Sequence, residues 1–282
     1  MTFTLSYDND PFPLLSIERG RNGDGVGDWV PSQKHTFLAK YIEGTREARK
    51  KFNSRVFVDL FCGPGRIQVK GESISRHGGS LIAWQHSRLG RADFTSCLVG
   101  DLDAERARAC EARLRYFGAP VEALTGPADE TVDDVLKAVP SGALCLAYLD
   151  PYNLQYLDFG VIEKLAKLQY VDFAVHFSTM DLRRNVLMEF NPERARFDRT
   201  APGWRDHIDP ATFVSGHADE AFFDYWCGLV AALGFTISQR MPLVRDNANR
   251  PLYHLVFFSR HPLPNRIWGD VAQGKNREFN FG

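Results

Sequence analysis

Three apolar runs in the sequence stop at residues that can do chemistry. Arg55-Val56-Phe57-Val58-Asp59-Leu60-Phe61 ends at Cys62-Gly63-Pro64-Gly65, Cys97-Leu98-Val99-Gly100 ends at Asp101, and Ala143 to Leu149 ends at Asp150-Pro151-Tyr152-Asn153. Glycines at 63 and 65 let a backbone approach a ligand with no Cβ in between, and glycine adopts positive φ without strain. A carboxylate placed like Asp101, directly after a strand, can accept hydrogen bonds from two neighbouring ribose hydroxyls. The glycine loop is a poor phosphate cradle. G-x-G-x-x-G would need a glycine where Gln68 stands, no G-K-[ST] follows, and the stretch from Arg66 to Gly79 separates the glycines from the next helix, for which Ser80 is the expected N-cap. The pattern therefore points to a nucleoside ligand without phosphates, with Asp59 either orienting the glycine loop or meeting a cationic amino group. S-adenosylmethionine, with a ribose, an amino-acid end and no phosphate, has that chemistry.

Asp150-Pro151-Tyr152 offers a second function. An acidic oxygen and a backbone carbonyl can accept from an exocyclic amine while an aromatic ring stacks on an extruded base; the plain alternative is a proline turn with a packed tyrosine. His176, at the end of a fourth run from Val171 to Phe177, reads either as a general base or as a core histidine. Lys34 and His35 open an amphipathic stretch and are either a lid contacting a carboxylate or phosphate, or a solvated helix start. The five cysteines stand singly with no C-x-x-C, and the eight histidines include no H-E-x-x-H, so neither disulfides nor a metal has sequence support. Cys62 lies inside the glycine loop without a P-C context, which speaks against a thiol nucleophile.

These residues need a frame to bring them together. The apolar runs are too continuous for half-exposed strands and alternate with helical segments, such as Ala104 to Phe117, which predicts βαβ units and a mainly parallel sheet whose strand ends share one crevice. Val121 to Leu124 is a weaker strand. Residues 1–31, rich in Gly, Asp, Asn and Pro, read as a flexible lead-in, and a helix begins near Ser32 with Phe37, Leu38, Tyr41 and Ile42 at helical spacing. Lys40, Arg46, Arg49, Lys50, Lys51 and Arg55 give residues 40–55 a basic face. Alternation breaks at residues 181–228, read as a helical insert containing Pro192, Pro202 and Pro210. Phe235 to Leu243 and Leu252 to Ser259 then read as a terminal β-hairpin, followed by a tail that caps the fold through Trp268.

The chain has 282 residues and 34 Lys plus Arg against 35 Asp plus Glu, a net charge of −1, with 44% hydrophobic and 24% charged residues. This is a globular composition that excludes a uniformly basic nucleic-acid coat and an acidic disordered tail. Without a long apolar run or a signal-peptide layout, the expectation is a soluble cytoplasmic protein with no membrane contact.

The string Asp59-Leu60-Phe61-Cys62-Gly63-Pro64-Gly65 resembles the first motif of S-adenosylmethionine-dependent methyltransferases. The resemblance implies that Phe61 flanks the cofactor, that Gly63, Pro64 and Gly65 line its methionine portion, that Asp101 holds the ribose, and that Asp129 lies near the adenine. Asp150-Pro151-Tyr152 resembles the fourth motif of amino-group methyltransferases, often D-P-P-Y, without its second proline; with Asn153 it is closer to the D-P-F-G form of some tRNA guanine-N methyltransferases. Over most of the chain, Lys34-His35, V-D-L-F-C-G-P-G, Gly79-Ser80-Leu81-Ile82-Ala83, L-D-P-Y and Leu252-Tyr253-His254-Leu255-Val256-Phe257-Phe258 together resemble the three-Cys-motif partner protein (TcmP) family. Leu81 departs from a common Pro there, and Tyr152-Asn153 from a common Phe-Gly. The resemblance implies one α/β domain over residues 1–282, a Rossmann-like methyltransferase fold with a mainly parallel seven-stranded sheet, a terminal antiparallel β-hairpin and the helical insert. It further implies S-adenosylmethionine as cofactor, Asp150, Pro151 and Tyr152 as catalytic residues, and Lys34, His35 and Asn153 as substrate contacts. The methyltransferase motifs imply N-methyl transfer, to RNA or DNA; the TcmP resemblance, to a family without a defined activity of its own, implies the alternative of a non-catalytic role beside a three-Cys-motif radical-S-adenosylmethionine-like partner. A nuclease on a similar sheet would want paired carboxylates, a lysine and a divalent metal, for which Asp101 and Asp150 alone are thin support.

Overall fold

In a computed structural model of the chain, residues 9–20, 22–191, 193–209 and 218–274 are described here. Pro192, Pro210 and the polar end of the tail lie outside them. The frame is an eight-stranded sheet: β1 (Arg55–Asp59), β2 (Ser96–Asp101), β3 (Val121–Thr125), β4 (Leu144–Leu149), β5 (Tyr170–Phe177), β6 (Thr236–Ile237), β7 (Leu243–Arg245) and β8 (Pro251–Ser259). Their order is β3-β2-β1-β4-β5-β8-β6, with β7 also paired to β8. The first five strands are parallel, with Phe57 opposite both Cys97 and Leu146, and β8 runs antiparallel to β5 with Val256 opposite Val175. Strand order reverses beside β1, so the carboxyl ends of β1 and β4 flank the crevice that such doubly wound, Rossmann-like sheets use for ligands.

Both faces are covered, which is why the central strands are apolar without alternation. One face packs Val58, Leu149 and Phe173 against helices α4 (Ala128–Ala138), α5 (Phe159–Leu165) and α7 (Ala218–Ala232). The other packs Phe57, Val99 and Phe257 against α1 (Thr36–Gly44), α2 (Gly79–Leu89), α3 (Ala104–Tyr116) and α8 (Pro262–Ala272), with Trp268 stacked on Phe257.

Four local expectations are corrected. The run Phe235 to Leu243 is not one hairpin arm; it divides into β6 and β7, both on β8. Pro242 lacks an N–H for a continuous ladder, and Ser238 N–H and Pro242 carbonyl rejoin β8 at Phe257 and Leu255 on either side of the gap. Ser80 is not the cap of α2: Gly78 holds that position, and the Ser80 hydroxyl turns to Asp59 instead. The basic face of residues 40–55 is partly inward, because Arg49 is buried and donates to the Ala92 carbonyl, and Arg55 donates to the Asp93 and Phe52 carbonyls. The lead-in is also anchored in its described part. Glu18 and Val26 bridge in parallel to Ile67 and Val69, and Arg113, fully buried on α3, donates to Asp10, to the Ser16 carbonyl and to the Pro64 carbonyl at 2.6, 2.8 and 2.6 Å.

The described parts of the insert are α6 (Thr179–Asn185), a 3₁₀ turn at Val186–Phe190, a short helix at Trp204–His207, and α7. Phe197, Trp204, Phe222 and Trp226 bury its interior.

Candidate functional site

The three predicted strand ends meet at the carboxyl edge of the sheet. At the end of β1 the chain turns through Gly63 (φ 55°) and Gly65 (φ 79°). The two glycines differ in what surrounds them. A Cβ on Gly65 would lie 2.9 Å from Leu81 and 3.1 Å from the Cys110 backbone, whereas one on Gly63 would meet only the end of the Arg106 side chain, at 3.2 Å. Gly65 is thus required by packing on α3, and Gly63 leaves the loop open. Gly63 N–H donates to Asp101 Oδ2 at 3.0 Å, which ties the loop to the end of β2, and Asp103 N–H donates to Asp101 Oδ1 at 3.0 Å. Arg106, paired with Glu18 of the lead-in, also approaches Asp101 at 3.5 Å. Pro64 contributes its carbonyl to Arg113, and Phe61 is half-buried against the core.

Asp59 sits beneath this loop. Its carboxylate accepts from Ser80 Oγ at 2.5 Å and from Phe61 N–H at 3.1 Å, so it orients the loop, the first of its two expected roles. Burial pushes its carboxyl up to about 7, against the lowering effect of the Ser80 hydrogen bond. Asp129 has a structural partner. In the first turn of α4 it pairs with Arg199 of the insert, which also pairs with Asp158 at the start of α5, so it fastens the insert to these two helices.

Asp150, after β4, is the most heavily engaged acid. Lys34 Nζ lies 3.0 and 2.7 Å from its Oδ1 and Oδ2, His176 Nδ1 lies 2.8 Å from Oδ1, and the Tyr148 hydroxyl donates to Oδ2 at 3.2 Å. Burial alone would raise its carboxyl, but Lys34 and His176 outweigh that and hold it well below the usual carboxylate range. A carboxylate offers about four acceptor positions. Here four contacts from three side chains, two on each oxygen, fill them, so a substrate amine could bond Asp150 only by displacing one of these contacts.

Lys34 and His35 come from a π-helical turn, Val30–His35, that runs directly into α1. Both are buried, at 9% and 2% exposed, which settles their open reading against a solvated helix start. Burial, reinforced by the Lys34 charge, pushes the His35 imidazole down to about 3, so it is neutral. His176 is likewise lowered by burial, against the opposing pull of Asp150. The Tyr253 ring packs against His176 with centroids 4.0 Å apart. His35 Nδ1, His176 Nε2 and the Tyr253 hydroxyl are buried with no hydrogen-bond partner. An unsatisfied buried polar atom costs about 1–3 kcal/mol, and of these three the His176 nitrogen belongs to a ring hydrogen-bonded directly to Asp150. Pro151 is buried, Tyr152 is 58% exposed, and Asn153 lies between these extremes just before the 3₁₀ turn Leu154–Tyr156.

Sequence reasoning missed Tyr148, Arg106 and Tyr253 as members of this group. Tyr148 and Tyr253 read as ordinary strand residues, and only the alternation of the sheet puts them on the Asp150 side. Among the described residues no group of three or more His, Cys, Asp or Glu could hold a metal, and no helix is long and apolar enough to cross a membrane. A groove of about 620 Å³ lined by Glu163, Lys164, Lys167, Leu233 and Arg260 opens at the amino-terminal edge of β5, away from this chemistry.

No family model matches the chain, and no curated protein matches it. Solved structures overlap it at low identity. They include the cofactor-bound protein Rv0187 from MTB (12% identity, 82% of this chain and 81% of that one, TM-score 0.47) and an O-methyltransferase from Bacillus cereus in complex with SAH (9%, 80% and 80%, 0.45). An rRNA methylase from Streptococcus thermophilus is also similar (13%, 80% and 93%, 0.40). At this divergence the chemistry has to be read from this chain's own residues.

Proposed function

We propose that the protein is an S-adenosylmethionine-dependent methyltransferase. One observation carries the reading: at the strand-order reversal, a glycine loop open at Gly63 is clasped by Asp101 across the ends of β1 and β2, while the Asp150 cluster stands at the neighbouring end of β4. A carboxylate able to accept from a ribose, an open glycine loop and a polar cluster along one edge support this reading. Gly63, Pro64 and Gly65 would line the methionine portion and Asp101 the ribose, with Asp59 holding the loop from below. The bound cofactor would supply an electrophilic methyl group on a sulfonium.

The acceptor we propose is a nitrogen of a nucleic-acid base, supported by the exposed Tyr152 ring two residues after Asp150. The arginines of the insert add less than their number suggests. Arg183, Arg196, Arg199 and Arg205 are paired internally with Asp219, Asp181, Asp129 and Asp198. A second reading, an accessory partner of a three-Cys-motif radical-S-adenosylmethionine-like protein that binds cofactor without transfer, is favoured by the filled acceptor positions on Asp150.

Calorimetric titration with S-adenosylmethionine tests the first reading. Binding is expected, and Asp101→Ala should weaken it about tenfold to a hundredfold, the worth of hydrogen bonds to a charged acceptor. No binding of either the cofactor or its demethylated product would overturn it.

A further inference from the structure

We infer that His176 is the group that takes the proton from the methyl acceptor, and that Asp150 is its positioning residue rather than the acceptor of the substrate's amine. The inference rests on the methyltransferase reading above and assigns a role within it. Asp150 and His176 end adjacent parallel strands, with Leu149 opposite Val175, so both side chains leave the same sheet edge. An ionised carboxylate can only accept, so the 2.8 Å contact to Asp150 Oδ1 requires the proton on His176 Nδ1 and leaves the lone pair on Nε2. That nitrogen is one of the three unpartnered buried polar atoms named above at this site. The other two, His35 Nδ1 and the Tyr253 hydroxyl, belong to rings that also feel the Asp150 charge. The groups around the imidazole are Asp150 just after β4, Tyr148 on β4, Lys34 on the π-helical turn and Tyr253 on β8. Lys34 and Asp150 offset each other, both tyrosines stay uncharged because burial raises them, and His176 stays neutral near pH 7 because burial lowers it.

In the transfer, the acceptor's lone pair forms a bond to the methyl carbon as the carbon–sulfur bond breaks. The sulfur keeps that electron pair as a neutral thioether. The acceptor's proton passes to His176 Nε2, and the imidazolium, stabilised by Asp150, releases it to water after product leaves. With every acceptor position on Asp150 occupied, Nε2 carries the lone pair of the Asp150–His176 pair that makes no hydrogen bond.

The test uses the full chain with tritiated-methyl S-adenosylmethionine and, as acceptor probes, total cellular RNA, duplex DNA and a small-metabolite extract. His176→Asn keeps a donor for Asp150 and removes the base. It should bind the cofactor within about twofold of wild type and lose about a hundredfold or more in transfer rate. The wild-type rate should rise with pH through one ionisation lying below the usual imidazole value, and the variant should lack that limb. Asp150→Asn should lower kcat with little change in cofactor affinity and shift the limb. As a second measurement, nitrogen-15 spectra at pH 7.5 should show His176 neutral with its proton on Nδ1. Transfer by His176→Asn within threefold of wild type, an unchanged pH limb, or a proton on Nε2 would each overturn this inference while leaving the methyltransferase reading intact. Cofactor binding with no label in any probe would overturn the two together.

Discussion

Replacing Lys34 with methionine tests whether the first turn of the chain is part of the site. Met matches the lysine's length and apolar stem, so the change removes chiefly the ammonium. In the wild type Nζ touches both Asp150 oxygens at 2.7 and 3.0 Å, with the two side chains only 10% and 16% exposed. Breaking a buried pair from one side costs about 3–5 kcal/mol. Asp150 keeps His176 and Tyr148 as donors, which puts the expected cost at the low end, about 3 kcal/mol, or about 6 °C in Tm for a chain of this size. The pH dependence fixes the mechanism. The native Asp150 carboxyl is held below its ordinary value, so the pair's stabilisation is fully present above the unfolded carboxyl's pKa of about 4 and is lost as pH falls below it. The Lys34→Met deficit should therefore be full at pH 7 and shrink at pH 3. Lys34→Met combined with Asp150→Asn should recover part of it, since no uncompensated charge remains. Thermal and urea melts at both pH values read this directly. A Tm within about 1 °C of wild type at pH 7, or a deficit that grows on acidification, would refute the reasoning.

Three further outcomes follow from the same geometry. Gly65→Ala should destabilise by about 3 kcal/mol, from left-handed strain plus overpacking on Leu81 and Cys110, whereas Gly63→Ala should cost about 1 kcal/mol because only the Arg106 tip must move; denaturant midpoints of the two variants separate them. Asp59, with its folded carboxyl raised to about 7, stabilises the protein when protonated, and that contribution fades as pH rises from about 4 through 7; Asp59→Asn should flatten the stability profile across that window, and an unchanged slope would count against the assignment. Arg113→Met should free the described lead-in from α3, seen as new protease cleavage within residues 9–20 before global unfolding; protection equal to wild type would show that the Glu18 and Val26 bridges suffice alone.

The parts of this molecule written in local pattern were legible in its sequence. Doubly buried parallel strands have to be continuous apolar runs, so β1, β2, β4 and β5 could be placed without coordinates, with Asp59, Asp101 and Asp150 at the ends of the first three, while the role of Asp59 stayed open between loop support and ligand contact. Pairings across long sequence separations had no such trace. Lys34 meets Asp150 across 116 residues and Arg113 meets Asp10 across 103, and nothing in either neighbourhood marks its partner. The basic face read over residues 40–55 is weaker for the same reason: a count of cations cannot distinguish Arg49, spent on the Ala92 carbonyl inside the fold, from one held in solvent. His176 stood open between base and core residue, because the two differ only in whether a carboxylate reaches Nδ1.

The carboxylates at the strand ends also change what the near-zero net charge means. As a list, Asp59, Asp101, Asp129 and Asp150 suggest an acidic crevice. In the fold each is matched or muted: Asp59 by burial that favours its protonated form, Asp101 by Gly63 N–H and Arg106, Asp129 by Arg199, and Asp150 by Lys34 and His176. The proposed sulfonium would then be held by hydrogen bonds and shape more than by net attraction, which leaves little Coulombic reason for its uncharged product to dissociate faster. Affinities for the cofactor and its demethylated product should consequently lie within about tenfold of each other and respond weakly to salt, while any nucleic-acid acceptor, held by phosphate contacts, should weaken steeply as salt rises. Equal, steep salt dependence for both would mean that the crevice carries a charge the pairings have not cancelled.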